Sequence, residues 1–151
     1  MFLSSPVLEA LPDPDKWVLR EALIWQSPTL RFTIQPNWIT DLASIPSMLR
    51  GLMDVNGRSR FAAIAHDWTY NTQVLSREEC DEFLRSALIT YGLTPKAART
   101  YWAGVRVGGA LVWNARLKRG GGLQPDDFAT ADAFMRARDL PRLGFEIRRI
   151  S

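Results

Sequence analysis

The chain contains one histidine, His66, and it stands in the run His66-Asp67-Trp68-Thr69-Tyr70. Imidazole is the side chain best suited to moving a proton near neutral pH, so any histidine acid–base chemistry must be built here. On a helix His66 and Tyr70 stand one above the other at i and i+4, while Asp67 projects about 100° round the axis. Asp81 follows directly on Cys80, near the start of the next helical pattern. If the two helices pack antiparallel through the short Val74-Leu75 connection, Asp81 returns beside the His66 turn. Its carboxylate would then hydrogen-bond one ring nitrogen and fix the tautomer, leaving the other nitrogen to take a proton from water. Asp67, on another side, suits a hard cation such as Ca²⁺, which prefers oxygen ligands and polarises a carbonyl. A plainer reading makes the same residues structural. His66 is then a hydrogen-bonded core residue, Asp81 a carboxylate favoured by the helix dipole, and Tyr70 a core aromatic with its hydroxyl satisfied.

A second polar group lies upstream. Thr40, Asp41 and Ser44 interrupt the otherwise apolar stretch Ile39 to Pro46, and short polar residues that become buried must find partners. They are expected to bond the backbone and pin a loop. Alternatively, Asp41 faces His66 and Asp67 and adds a second carboxylate to a metal or to the histidine. Other chemistries are excluded. A single histidine rules out zinc motifs with two histidines, and neither a Gly-x-x-x-x-Gly-Lys loop nor a Gly-x-Ser-x-Gly elbow is present.

These residues need elements to position them. Trp17 to Gln26 and Leu30 to Gln35 are rich in bulky residues and separated by Ser27-Pro28-Thr29, which predicts a β-hairpin. A short helix is expected from Pro46 to Met53, stopped by Asn56-Gly57. From Ser59 to about Asn71, Phe61, Ile64, Ala65 and Trp68 recur at helical spacing. Ser76 with Glu79 forms a capping box that opens a helix carrying Cys80, Phe83, Leu84, Ala87 and Leu88 inward and ending at Gly92. Thr94-Pro95 opens a third helix to about Leu117, with Tyr101, Trp102, Val105, Leu111, Val112 and Trp113 on or near its apolar side. Gly104 and Gly108 share a face that admits close packing. Gly120-Gly121-Gly122 reads as a hinge, followed by a short helix over Asp126 to Ala137 and a strand over Gly144 to Ile150. The expected fold is α+β: a central three-helix body with a small antiparallel sheet from the N-terminal hairpin and the C-terminal strand. Residues 1–119 are expected to form one globular domain, with 120–151 a glycine-linked extension packing on it or on a partner.

The formal charge of +3 includes basic groups at Arg116, Lys118 and Arg119 and at Arg148 and Arg149. So small an excess reads as a solvated surface, and nucleic acid is not the expected partner. The one cysteine, Cys80, allows no intrachain disulfide and fits a reducing compartment. The N-terminus lacks the basic start and apolar core of a secretory signal. No apolar run approaches the roughly 20 residues needed to span a bilayer. A soluble, intracellularly made protein is the expectation.

His66-Asp67-x-x-Tyr70 followed by Asp81 on the next helix resembles the catalytic core of the phospholipase A2 superfamily. That resemblance implies His66 as water activator, Asp67 as calcium ligand, Asp81 orienting the histidine and Tyr70 supporting it. The glycine-rich calcium loop and the stapling cysteines of secreted members are missing, unless the Leu52 to Gly57 turn or Thr40-Asp41 substitutes for the loop. A wider likeness runs from Trp38 to Gly109. The motifs Thr40-Asp41-Leu42-Ala43-Ser44-Ile45-Pro46, Phe61 to Tyr70, Ser76-Arg77 with Cys80-Asp81-Glu82-Phe83, and Tyr101 with Val105-Arg106-Val107-Gly108-Gly109 resemble the phage and prophage family called domain of unknown function 1353. It implies a bacteriophage origin. Two functions follow as expectations. One is a cation-assisted hydrolase of a lipid or small ester. The other is a non-catalytic tail, baseplate or assembly component of the virion, associating with other phage structural proteins or with itself, which the six tryptophans would suit.

Overall fold

A computed structural model describes residues 1–14, 16–28, 30–41 and 59–139. The expected helix over Pro46 to Met53, the Leu52 to Gly57 turn, Ser44 and the strand over Gly144 to Ile150 lie outside them. The chain divides into two compact units, Met1–Asp41 with Leu123–Ser151, and Leu42–Gly122.

The first unit carries the sheets. β1 (Leu8–Ala10), β2 (Trp17–Leu19) and β5 (Ile39–Thr40) form an antiparallel three-stranded sheet in the order β1-β2-β5, with Val18 opposite Glu9 and Ile39. β3 (Leu23–Gln26) and β4 (Arg31–Ile34) form a separate hairpin in which Trp25 pairs with Phe32. The single strand expected over Trp17 to Gln26 is therefore two. Leu19 leaves for the β5 side, where its N–H bonds Trp38 O and its carbonyl accepts from Asn37, held at φ +65°. Val18, Leu19, Leu23, Ile34 and Trp38 are fully buried. Trp38 sits in this unit's own core, edge-on to Phe128 with centroids 5.7 Å apart.

The helix expected over Asp126 to Ala137 is also interrupted. Pro125–Asp127 makes one 3-10 turn, Phe128 bridges Trp38 through its backbone, and α4 starts only at Ala131, running to Asp139. Phe128, extended at φ −129°, ends the first, and Thr130 caps the second, its Oγ1 accepting from Ala133 N–H.

The second unit is built on α1 (Ser59–Thr72), α2 (Arg77–Thr90) and α3 (Pro95–Lys118), with α2 packed against both of the others. Local signals explain their ends. Ser76 Oγ accepts from Glu79 N–H while Glu79 Oε2 accepts from Ser76 N–H, closing both halves of the capping box. Beyond α2, Gly92 adopts φ +99°, and the bonds from Gly92 N–H to Ile89 O and from Leu93 N–H to Leu88 O satisfy its last carbonyls. Thr94 caps α3 with Pro95 at its first position.

α3 corrects two expectations. Its buried stripe is Ala98, Tyr101, Val105 and Gly109, whereas Leu111 is 81% exposed and Val112 46%. At about 100° per residue, Leu111 stands roughly 160° from Gly109 and cannot share its face. Gly108 is exposed too, and a close approach falls at Gly109 instead, where an added Cβ would lie 2.5 Å from the Tyr70 hydroxyl.

Candidate functional site

α1 is buried along most of its length, so its polar side chains need partners inside the unit. Thr69 Oγ1 donates to His66 O and Thr72 Oγ1 to Trp68 O, returning both hydroxyls to the helix backbone. His66 and Tyr70 lie one turn apart with ring centroids 4.4 Å apart and planes tilted by 45°.

Both rings meet Asp81. Its Oδ1 lies 3.1 Å from His66 Nε2 and accepts from Tyr70 Oη at 2.6 Å. On the other oxygen, Oδ2, Arg106 Nη1 of α3 donates at 3.2 Å and Arg77 Nη1 of α2 stands at 3.8 Å. The Arg77 guanidinium also donates to the Arg106 carbonyl, tying α2 to α3. One carboxylate thus holds groups from all three helices. Among these four partners it faces two fixed positive charges, so the cluster carries a net positive charge when His66 is neutral.

The electrostatics follow from burial. His66 is 1% exposed and Asp81 fully enclosed. Burial lowers the His66 pKa and outweighs the pull of Asp81 in the other direction. Burial alone would raise the Asp81 carboxyl. Hydrogen bonds from His66 and Tyr70, the His66 charge and the Arg106 bond prevail and hold it below the usual carboxylate value. Tyr70 is pushed well above the ordinary phenol range, first by burial and then by its bond to Asp81. An ionised carboxylate only accepts, so the neutral imidazole donates from Nε2. Its Nδ1 then carries a lone pair, and that atom is buried with no hydrogen-bond partner among the described residues.

The remaining expected residues fall elsewhere. Asp67 is buried on another side of α1, its Oδ1 accepting from Asn71 Nδ2 at 2.9 Å. Among the described residues no group of three His, Cys, Asp or Glu side chains could hold a metal. Thr40 is buried in β5, and Asp41 is exposed just beyond it; both belong to the first unit. Cys80, next to Asp81, is enclosed, and burial pushes its thiol up to about 12, which makes it a poor nucleophile.

Two functional neighbours escaped sequence reasoning. Arg77 was legible as an i, i+4 partner of Asp81 on one helix. Arg106 reads only as an interruption of an apolar helix, because its carboxylate lies on a different helix.

A family model described as "Protein of unknown function (DUF1353)" matches residues 17–105. That span contains His66, Tyr70, Arg77 and Asp81 and stops one residue before Arg106. No curated protein and no solved structure matches the chain.

Proposed function

We infer that this chain, which belongs to the DUF1353 family, is a phage-encoded hydrolase in which His66 acts as general base on an ester bond. A single observation carries the reading: His66 Nε2 is tied to Asp81 while Nδ1 is buried without a partner among the described residues. A purely structural histidine gains by satisfying both nitrogens, because an unpaired buried polar atom costs about 1–3 kcal/mol. Leaving one lone pair unspent suits an atom that receives a proton from water. In this scheme Nδ1 takes the proton as water attacks the ester carbonyl, the imidazolium formed is stabilised by Asp81, and it returns that proton to the alkoxide as the tetrahedral intermediate breaks the ester C–O bond. Asp81 and Tyr70 are positioning residues. They hold the ring and its tautomer, and the Arg106 bond adds to those from His66 and Tyr70 that keep Asp81 ionised.

Calcium is part of the phospholipase-like version of this proposal. Asp67 would be the calcium ligand in that version, and its Oδ1 accepts from Asn71 Nδ2. No step is routed through a cation.

Burial of His66 favours a second reading. In it the same network locks the three helices together in a non-catalytic virion component, and substrate never reaches the ring.

Hydrolysis of short-chain aryl esters and of phospholipid, with calcium added or chelated, separates the two. Wild type is expected to turn over at least one ester, and His66→Asn to lose about 10²-fold or more while keeping its helical circular dichroism. Equal rates for folded wild type and folded variant on every ester would leave the scaffold reading.

A further inference from the structure

α3 carries six basic residues from Lys96 to Arg119 and no acidic one. Arg106 is bound to Asp81 and Arg116 is buried, which leaves Lys96 and Arg99 exposed at one end and Lys118 and Arg119 at the other. Between those ends every exposed side chain is uncharged. Val107 is 84% exposed and Leu111 81%, with exposed Ala103 and Ala115 on the same side and Thr100 and Asn114 the exposed polar residues between the ends there. At about 1.5 Å per residue the helix is roughly 36 Å long, so the apolar centre and its basic ends form one continuous surface. Large aliphatic side chains left this open mark an interaction face.

We propose that this face of α3 docks on an anionic lipid surface, lying in the interface with Val107 and Leu111 among the acyl chains and the terminal cations at headgroup level. Charge complementarity selects this occupant. A second copy pairing antiparallel along the same face would set Lys96 and Arg99 against Lys118 and Arg119, with no carboxylate on the helix to offset them. Nucleic acid would gain from the cations but would leave the aliphatic centre against phosphates. Lipid takes both, because lysine and arginine reach the headgroups while their stems stay in the apolar layer. No helix among the described residues is long and apolar enough to cross a membrane, so the contact is with one leaflet. The proposal stands on α3 alone and does not depend on the chemistry of His66.

Co-sedimentation of the full chain with vesicles of phosphatidylglycerol and phosphatidylcholine, or of phosphatidylcholine alone, tests it. The wild type should pellet with the anionic vesicles, less with the neutral ones, and less as salt rises. Val107→Asp combined with Leu111→Asp should lower partitioning on the order of a hundredfold, the loss expected for two aliphatic side chains kept out of the acyl layer. Both positions are solvent-facing, so the variant should keep its fold by circular dichroism. Lys118→Glu with Arg119→Glu should weaken anionic binding and reduce its salt dependence, Lys96 and Arg99 remaining at the other end, while His66→Asn binds like wild type. The proposal is overturned if wild type stays in the supernatant at low salt or if the double aspartate variant pellets equally. It is also overturned if the variant dissolves a dimer of a wild type that ignores vesicles, which would assign the face to self-association.

Discussion

Gly109→Ala is a small change with a large expected effect. A Cβ built at Gly109 would sit 2.5 Å from Tyr70 Oη and 3.1 Å from both Cε1 and Cζ. Ordinary contact begins near 3.4 Å, so the hydroxyl must retreat by about 0.9 Å (3.4 less 2.5). It has little room to do so, because Tyr70 packs edge-on against Trp113 at 5.2 Å and lies tilted against His66 at 4.4 Å. Retreat also stretches the 2.6 Å bond to Asp81. Overpacking of this kind costs about 1–3 kcal/mol, and a hydrogen bond to a charged acceptor contributes about 1.5–3 kcal/mol. Alanine returns roughly 1 kcal/mol of helix propensity. A net loss of about 1.5–5 kcal/mol, the lower end if the bond survives in part, is therefore expected in urea denaturation followed by circular dichroism. Tyr70→Phe removes the atom in closest conflict. In that background Gly109→Ala should cost at least about 1 kcal/mol less than in wild type, a coupling beyond the additivity of independent sites. An alanine variant as stable as wild type, or a cycle additive within about 0.5 kcal/mol, would refute the packing described for Tyr70.

Stability should depend on pH through His66. Its folded pKa is depressed from the ordinary 6.5, so below that value the unfolded chain takes up a proton that the folded chain refuses. Stability is then full above pH 6.5 and falls as pH drops, with a slope of up to about 1.4 kcal/mol per pH unit. Asp81, also depressed, adds a fall of the same sign below its ordinary 3.8. Melting temperatures of wild type and His66→Asn from pH 8 to 5 should diverge, the variant giving the flatter curve; parallel curves would contradict a buried neutral imidazole. Ser76→Ala should destabilise by about 0.5–2 kcal/mol, since it opens the capping box that starts α2, and a melt indistinguishable from wild type would count against that role.

The helices were legible because their signals are local. Ser76 with Glu79 and Thr94 with Pro95 declare where α2 and α3 begin, and each acts within one turn of chain. The His66, Tyr70 and Asp81 meeting was legible for a related reason, since a short connection leaves α2 little choice but to fold back on α1. What could not be read depends on distant partners. The run Trp17 to Gln26 is uniformly strand-like, and only its pairing with β5 shows that it breaks after Leu19. α3 is apolar on several sides, so periodicity alone cannot separate Val105, which is buried, from Val107, which is open. The glycine pair fails similarly: Gly104 and Gly108 attract notice by their spacing, but Gly109 is the position a tyrosine from another helix requires. Arg106 shows the physical root of the difficulty. An arginine in an apolar helix looks like a defect until a carboxylate 25 residues earlier in sequence is found against it. With the hydrogen bonds from His66 and Tyr70 it then helps to keep Asp81 ionised, and an ionised Asp81 sets the tautomer of His66. The chemistry of the one histidine therefore rests on a residue that its own helix gives no reason to suspect.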